Sequence, residues 1–230
     1  LDRWVMLIVG DLNKDIIKFE AGETDTTTIP GSMVSRYREL EKNSDYILYN
    51  LGPTTNTSFI VFNMNTRKNK KGEFYLDPKK QVWFNDENFR RAIDWAIDRD
   101  SLVLNVLSGI GQPLHTAESI TSIFLNEEVA KGHRQDIEYA KSLLQKSGFK
   151  LKDGVLYDKH GNKVEFELST NAGNTQREAT GVSIKEDLAK LGMKVNFKPV
   201  EFNTLVNRMT QTLDYEAAIM SLTSNPLEPH

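Results

Sequence analysis

The chain has 230 residues, of which 39% are hydrophobic and 27% are charged, a composition typical of folded globular domains. The 29 basic and 32 acidic residues leave a formal net charge of −3, which argues against a nucleic-acid binder, because such proteins concentrate basic residues. The absence of cysteine excludes disulfides and thiol chemistry, and no apolar run approaches the roughly 18 residues that a membrane-spanning helix needs.

The first 65 residues are predicted to alternate short strands with short helices. Strands are expected at Trp4–Val9, Asp45–Leu51 and Thr57–Asn65, where apolar and aromatic residues cluster in runs of strand length. Helices are expected over residues 12–19, where apolar residues recur at helical spacing, and over a short polar stretch at residues 33–42.

The charge-rich run from Thr66 to Lys80 contains several lysines together with Gly72 and Pro78. A solvated loop is the favoured interpretation of these lysines, ahead of a site for an anionic ligand. The run is also a candidate boundary between two structural units.

Residues 88–113, "NFRRAIDWAIDRDSLVLNVLSGIGQP", are predicted to form two helices that cover a core. The first helix has apolar residues three and four positions apart, at Phe89, Ala92, Ile93, Ala96 and Ile97. Arg90 and Asp94 lie four residues apart and are expected to pair on the helix surface. Asp100 or Ser101 is expected to cap the second helix.

The chain from about residue 136 to residue 223 alternates helices with strands. Asp136 is expected to cap a helix that Gly148 ends, and a hairpin is expected to turn at residues 160–162. A helix from about Thr175, a strand, a helix capped by Asn203 and a final strand follow. Strands joined through helices favour a mainly parallel sheet covered on both faces, so the predicted fold class is α/β.

No pattern for a nucleotide or a metal is found. Gly109 and Gly111 follow a helix and lack the third glycine of a dinucleotide site, so a helix stop is the better interpretation. The histidines are scattered, and none has a second ligand three or four residues away, as a helix-borne metal site would require. They are His115, His133, His160 and His230.

No catalytic pattern is found either. Asp94, Asp98 and Asp100 crowd together, but the neighbouring arginines favour surface ion pairs and a cap over acid–base chemistry. Trp95 faces away from the apolar stripe and either covers a neighbouring element or lines a groove. We therefore predict no catalytic residue, no metal and no cofactor.

Three sequence blocks, in order, resemble the bacterial extracellular solute-binding proteins of family 5, the receptors of peptide-type ABC importers. "LNKDIIKFEAGETD" is similar to the family's helix and Gly-Glu-x-Asp turn. "FRRAIDWAIDR" and the following "GIGQP" resemble its block (Val/Phe)-Arg-x-Ala-(Ile/Leu)-x-x-Ala-(Ile/Leu)-Asp-Arg and Gly-x-Gly-x-Pro. "AKSLLQKSGF" resembles its helix Ala-Lys-x-Leu-Leu-x-x-(Ala/Ser)-Gly-(Phe/Tyr). The similarity extends to the closing segment "YEAAIMSLTSNPLEP" and so covers most of the chain.

The resemblance implies a periplasmic-binding-protein-like (type II) fold, in which two α/β lobes of mixed sheets flanked by helices enclose a ligand. Residues 1–58 are then expected to belong to the larger lobe, and residues 59–80 to form a hinge strand and a charged insertion. Residues 81–230 are expected to form most of the second lobe, and the chain to be an internal part of a longer protein.

The resemblance also implies a function. We expect the substrate-binding component of an ABC importer, which captures a small solute, foremost an oligopeptide, and delivers it to a membrane permease. Its expected location is the periplasm or, as a lipoprotein, the cell surface. No enzyme activity and no nucleic-acid partner are expected.

Ligand contacts are expected at two places. Asn63 and Asn65, on the hinge-like strand, can donate and accept hydrogen bonds. The rim of the second lobe is expected at Thr223, Ser224, Asn225 and Glu228. Family members often have Trp and an Asp-Tyr-x-Asp-Pro loop here, whereas this chain reads "SLTSNPLEP". Asn225 or Glu228 would then replace the aspartate that receives a peptide's ammonium group, and a different solute is equally open.

Other functions stay open at this point. The same fold could bind a sugar or a metal chelate, or act as a signalling receptor. A hydrolase with a dispersed site would use groups such as Asp94, Asp98 or His115.

Overall fold

The computed structural model describes residues 2–223, which form a four-stranded sheet flanked by helices, with a separate small hairpin. The helices are α1 (Leu12–Glu20), α2 (Gly31–Leu40), α3 (Pro78–Asn85), α4 (Glu87–Ala96), α5 (Arg99–Val106), α6 (Glu127–Ala130), α7 (Ile137–Lys146), α8 (Thr175–Ala189) and α9 (Phe202–Asn207). The strands are β1 (Asn56–Phe62), β2 (Lys150–Lys152), β3 (Val155–Tyr157), β4 (Glu165–Asn171), β5 (Lys194–Val200) and β6 (Ala217–Thr223). No helix of this range is long and apolar enough to cross a membrane.

The main sheet is mixed and has the strand order β1-β6-β4-β5. β4 runs parallel to β5 and β6, whereas β1 runs antiparallel to β6. The parallel strands are joined by helical crossovers, α8 between β4 and β5 and α9 between β5 and β6, as parallel pairing requires. The α/β fold class is therefore confirmed.

One face of the sheet packs against α4, α7 and α8 to form the hydrophobic core. Phe166 and Leu168 of β4 point into this core, because alternate residues of a strand share a face. Ile184 and Leu188 of α8 cover them. The buried face predicted for α4 is confirmed, since Phe89, Ala92, Ile93 and Ala96, together with Ile97 just after the helix, all lie in the core. Burying each large side chain contributes about 1.5–3 kcal/mol, so this face drives folding.

The opposite face of the sheet is covered by α9 and by the π-helical turn Arg208–Thr212 that follows it. Leu205 of α9 and Ser169 of β4 are fully buried. Arg208 forms an ion pair with Glu167 of β4 at 3.0 Å. The chain therefore leaves β4 towards one face and leaves β5 towards the other.

Aspartates cap the helices that build the core. Each accepts a hydrogen bond from the amide three residues later, an amide that the first helical turn leaves free. These caps are Asp86, Asp98 and Asp136. The prediction of Asp100 or Ser101 as the cap of α5 was wrong, because Asp98 has the non-helical backbone and Ser101 is its donor.

Residues 2–54 contain α1 and α2, as predicted, but no strand. The strands predicted at Trp4–Val9 and Asp45–Leu51 were therefore wrong for the described structure. Both segments have the composition of strands, yet Ile8 is 97% exposed and Leu51 is 93% exposed. A strand is stable only when a neighbour satisfies its amides and carbonyls, and residues 2–223 supply no such neighbour for these two segments.

The solvated loop predicted at residues 66–80 ends earlier than expected. Asp77 caps α3 by accepting a hydrogen bond from the amide of Lys79 at 2.9 Å, and Pro78 occupies the first helical position, where its missing amide costs nothing. Trp83 and Phe84 of this helix are buried. The helix was missed because adjacent apolar residues do not show helical spacing.

Candidate functional site

The register of the sheet brings four strand ends to one edge. β4, β5 and β6 are parallel, so their last residues lie at the same edge. β1 begins at this edge, because Asn56 pairs with Thr223. We call it the carboxyl edge and define it by Asn56, Asn171, Val200 and Thr223. In open α/β sheets, ligands bind outside the carboxyl ends of the strands, so this edge is the candidate site.

At the carboxyl edge, β1 and β6 project beyond the other strands as a two-stranded ribbon. Ser169 of β4 lies beside Ala218 of β6, and β4 ends two residues later at Asn171. Thr223 therefore extends about three residues, or roughly 10 Å, past the end of β4. Asn56, Ser58 and Thr223 are exposed on one face of the ribbon, whereas Thr57 on the other face is only 8% exposed.

One face of the ribbon has two polar pairs. The hydroxyl oxygens of Ser58 and Ser221 are 2.7 Å apart, and the Thr223 hydroxyl donates to Asn56 Oδ1 at 2.5 Å. We call these four residues the polar ladder. Ile60, which lies on the same face, packs against the core. The face thus changes from apolar to polar where the ribbon leaves the core.

The outer side of β1 offers main-chain hydrogen-bonding groups. The amide of Asn63 donates to the carbonyl of Glu216 at 2.8 Å. In an antiparallel pair, hydrogen-bonded and non-hydrogen-bonded residues alternate, so every second residue from Asn63 back to Thr57 also forms main-chain hydrogen bonds with β6. The amides and carbonyls of Ser58 and Ile60 consequently point away from β6. Among residues 2–223, no strand pairs with β1 on that side, so an extended segment can add there.

A positive charge lies at the end of β4. The Arg177 guanidinium donates to Asn171 Oδ1 at 2.6 Å, and Asn174 caps α8 by accepting from the amide of Arg177 at 2.9 Å. Burial lowers the pKa of Arg177. The polar groups of the carboxyl edge therefore include one cation.

The predicted ligand contacts do not all come together. Thr223 lies in the polar ladder, whereas Asn63 and Asn65 follow the other end of β1, roughly 23 Å away for an extended strand. The side chain of Asn63 is 2% exposed and donates to the carbonyls of Leu213 and Tyr215 at 3.0 and 2.8 Å. The remaining predicted contacts lie outside the described residues: Ser224, Asn225 and Glu228.

Sequence reasoning missed Asn56, Ser58 and Ser221. One observation could have found them, because "TNTSFIVF" changes from polar to apolar partway along a single strand. Such a change predicts that the strand leaves the core at its polar end.

A long connection between α5 and α7, residues 107–135, borders the ribbon. We call it the clasp loop. The hydroxyl of Ser119, which is 2% exposed, donates to the carbonyl of Thr54 at 3.4 Å, just before β1. At its other end, Gln135 donates to the carbonyl of Ala96 at 2.7 Å. The clasp loop therefore joins the helical layer to the start of the ribbon.

His133 anchors the clasp loop on α4. Its Nε2 lies 2.9 Å from Asp94 Oδ2, and its Nδ1 lies 3.1 Å from the carbonyl oxygen of Arg134. The imidazole stacks on Trp95, with ring centroids 3.6 Å apart and planes inclined by 7°. Burial opposes the ionisation of Asp94, but hydrogen bonds from His133 and Arg99 outweigh it, so the pKa of Asp94 is lowered.

This cluster corrects the prediction of an Arg90–Asp94 ion pair. Arg90 instead donates to the carbonyl of Phe84 at 2.7 Å, because Asp94 faces α5 and the clasp loop. His115 and His133, which seemed scattered in the sequence, have ring centroids 5.0 Å apart. Within residues 2–223, no group of three or more His, Cys, Asp or Glu side chains is arranged to hold a metal ion.

The family model described as "Bacterial extracellular solute-binding proteins, family 5 Middle" matches residues 1–230. The chain is 30% identical to a Deinococcus radiodurans protein named "Probable ABC transporter-binding protein", over 97% of this chain and 38% of that protein. It is also 30% identical to the oligopeptide-binding protein AppA of Bacillus subtilis, over 96% of this chain and 38% of AppA.

Solved structures agree on the fold. AppA in complex with a nonapeptide aligns with a TM-score of 0.75 at 27% identity, over 96% of this chain and 41% of that one. A periplasmic oligopeptide-binding protein of Thermotoga maritima, bound to mannohexaose, aligns with a TM-score of 0.70 at 21% identity, over 94% and 39% of the two chains. That second likeness concerns the fold alone. This chain spans about two fifths of the length of these proteins.

Proposed function

Because the chain belongs to the bacterial extracellular solute-binding proteins of family 5, we propose that the protein is the substrate-binding component of an ABC importer. In this proposal, it captures a small solute between two lobes and delivers it to a membrane permease. An oligopeptide is the favoured ligand, because the relative AppA is named as an oligopeptide-binding protein and was solved with a nonapeptide.

The observation that carries this proposal is the open carboxyl edge. The outward amides and carbonyls of β1 suit the main chain of an extended peptide, which needs paired donors and acceptors at strand spacing. The polar ladder adds hydroxyl and amide groups beside them. Main-chain binding of this kind gives affinity with little dependence on the peptide's side chains.

The two groups of predicted contacts have different roles in this proposal. We propose that Thr223, in the polar ladder, contacts the ligand, together with Ser224, Asn225 and Glu228, which follow it in the sequence. Asn63 and Asn65 are proposed to act indirectly, since the Asn63 side chain is fully used in holding β1 to the segment before β6.

The proposed lobes have the boundaries that the family resemblance implies. Residues 1–58 belong to the larger lobe, residues 59–80 to the hinge region and residues 81–230 to the second lobe. The support is a contrast in packing: apolar side chains at residues 4–8 and 47–51 are exposed, and the rest of the larger lobe would cover them. A ligand that contacts both lobes stabilises their closed arrangement.

We also propose that the protein is not an enzyme. Two of the groups that a hydrolase would use have structural roles, since Asp98 caps α5 and Asp94 is held between Arg99 and His133. The family's extracellular members further support a location in the periplasm or on the cell surface.

The test uses the full-length protein. Titration calorimetry with a nonapeptide of mixed sequence should give a saturable heat, and small-angle scattering should show a smaller radius of gyration with the peptide. The same peptide with N-methylated amides is the matched control, and it should bind more weakly because it cannot donate main-chain hydrogen bonds. Native mass spectrometry after mild purification identifies any solute that co-purifies.

Three results would contradict the proposal. Binding of a sugar or a metal chelate without any peptide binding would favour the alternative ligands. Equal affinity for the N-methylated and unmodified peptides would remove the role of β1. Turnover of the peptide, abolished by Asp98→Asn or His115→Gln, would favour a hydrolase.

A further inference from the structure

We infer that a cavity at the amino ends of β4 and β5 is a second binding site, which takes an organic anion whose phosphate or carboxylate is attached to an apolar body. The cavity lies at the opposite end of β4 from the carboxyl edge, roughly 20 Å away for a seven-residue strand. The inference therefore does not rest on the proposed function.

Main-chain hydrogen bonds between the small hairpin and the sheet fix the walls of the cavity. The amide of Leu156 in β3 donates to the carbonyl of Gly192 at 2.8 Å, and the amide of Val164 donates to the carbonyl of Leu156 at 2.9 Å. Gly192 has a φ of 78°, and an added Cβ would meet the amide nitrogen of Leu156 at 2.8 Å. Because these contacts need no ligand, the cavity is preformed.

The inside of the cavity is apolar. Its volume is about 390 Å³, which is within the range of small-molecule sites. The lining includes the nearly fully buried side chains of Val164, Met193 and Val195, together with Val155 and Ala189. Such a lining favours an apolar group, because binding removes both surfaces from water.

Three lysines surround this apolar lining. They are Lys163 just before β4, Lys185 of α8 and Lys194 at the start of β5. Glu165 also lines the cavity and pairs with Lys194 at 2.9 Å. The described lining residues therefore include two more cations than anions. The last turn of α8 opposes an anion with about half a negative charge, which is smaller than this excess.

The combination of lysines and apolar side chains selects the class of ligand. A lysine binds phosphate or carboxylate as a flexible point charge, and its methylene chain covers apolar surface while the ammonium group stays in water. Inorganic phosphate can use only the lysines, whereas a neutral apolar molecule can use only the lining. An organic anion uses both, and salt should weaken its binding because the lysines are exposed.

Calorimetric titration of the full-length protein with phenyl phosphate, without peptide, tests the site. Phenyl phosphate carries a charged group on a flat apolar ring and should bind saturably. Its affinity should fall about threefold between about 50 and about 300 mM NaCl, because the lysine charges are screened. Inorganic phosphate should bind at least about tenfold more weakly, because it leaves the apolar lining exposed to water.

A vesicle experiment distinguishes the two sources of such an anion. The full-length protein is sedimented with vesicles of equal parts phosphatidylglycerol and phosphatidylcholine. Co-sedimentation that depends on Lys163 and Lys185 would assign the site to a lipid headgroup. Binding of phenyl phosphate without co-sedimentation would assign it to a soluble organic anion.

Matched variants separate the cavity from the total charge of the protein. Lys163→Gln combined with Lys185→Gln should weaken the binding of phenyl phosphate about tenfold. Both lysines are exposed, so the fold should be retained. The control is Lys14→Gln combined with Lys42→Gln, which removes the same charge from exposed positions and should change the affinity by less than about twofold.

A third variant tests the apolar lining with the lysines intact. Ala189→Phe places an aromatic ring in the cavity and should weaken the binding of phenyl phosphate about tenfold, because the two rings compete for the same space. Ala189 is exposed at the end of α8, so the larger side chain should not disturb the core. Circular dichroism confirms that each variant is folded.

Four results overturn the inference. Phenyl phosphate could fail to bind saturably, or inorganic phosphate could bind equally well, which would reduce the site to surface lysines. The two lysine pairs could lose affinity equally, which would mean that binding follows total charge. Affinity could also be unchanged in the folded Ala189→Phe variant. Failure of peptide binding would contradict only the proposed function, because these titrations contain no peptide.

Discussion

The two ends of the β1/β6 ribbon have similar residue types and opposite environments. At the amino end of the sheet, the Asn63 side chain is buried and holds the carbonyls of Leu213 and Tyr215. At the carboxyl edge, Asn56 and Thr223 are exposed and bond mainly to each other. The same amide and hydroxyl chemistry therefore closes the fold at one end and stays accessible at the other.

Burial and the hydrogen-bond partner distinguish the structural polar residues from the functional ones. A buried amide that satisfies main-chain carbonyls is needed for stability, because removing it leaves those carbonyls without a donor. An exposed pair can exchange its mutual hydrogen bond for one to a ligand at little cost. Substitutions at the two ends should therefore separate stability from binding.

The largest effect is expected at the amino end. Asn63→Ala should lower the free energy of unfolding by about 2–4 kcal/mol, because two partly buried carbonyls lose their donor. Urea denaturation followed by circular dichroism measures the change. Asn196→Ala is the control, since the exposed Asn196 bonds only the Glu165 side chain and should change stability by less than about 1 kcal/mol. A loss at Asn63 as small as that of the control would contradict the structural role.

A smaller effect, on peptide binding instead of stability, is expected at the carboxyl edge. Thr223→Val combined with Ser221→Ala removes two hydroxyls of the polar ladder and should weaken peptide binding about tenfold, while the unfolding free energy changes by less than about 1 kcal/mol. Calorimetric titration of the full-length protein measures the affinity. Thr180→Val serves as the comparison, because that hydroxyl bonds only its own helix. Unchanged affinity in the double variant would remove the polar ladder from the proposed site.

The smallest effect concerns pH at the amino end. Burial opposes ionisation of Glu167, but hydrogen bonding from Ser169 and the charge of Arg208 outweigh it, so its pKa is lowered. A lowered pKa in the folded state gives stability that is present above the ordinary glutamate value and lost as pH falls through the folded one.

Glu167→Gln should therefore be about 1 kcal/mol less stable than the wild type near neutral pH, with the difference shrinking towards about pH 3. Chemical denaturation across this range measures it. Glu186→Gln is the control, because Glu186 is exposed on α8 and should follow the wild-type curve. A constant difference at all pH values would mean that packing, and not charge, is responsible.

Local patterns were sufficient for most of the helices and for the core. The spacing of Phe89, Ile93 and Ile97 predicted the buried face of α4, which the structure confirms. The caps were predicted less well, because Asp98 and Asp100 are both suitable and only the backbone conformation selects between them. The missed helix α3 has adjacent buried aromatics, a pattern that helical spacing does not detect.

The amino-acid sequence by itself determined the fold class, most of the helices and strands that follow α3 and the family resemblance, because these depend on local spacing and on motifs of adjacent residues. Only the tertiary structure decided that Asn63 and Thr223 lie at opposite ends of one ribbon and that His133 meets Asp94 and Trp95. Strand register and loop docking join residues far apart in the chain, and no local pattern encodes which partners meet. The apolar segments at residues 4–9 and 45–51 show the same limit, since strand composition does not make a strand without a neighbour to pair with.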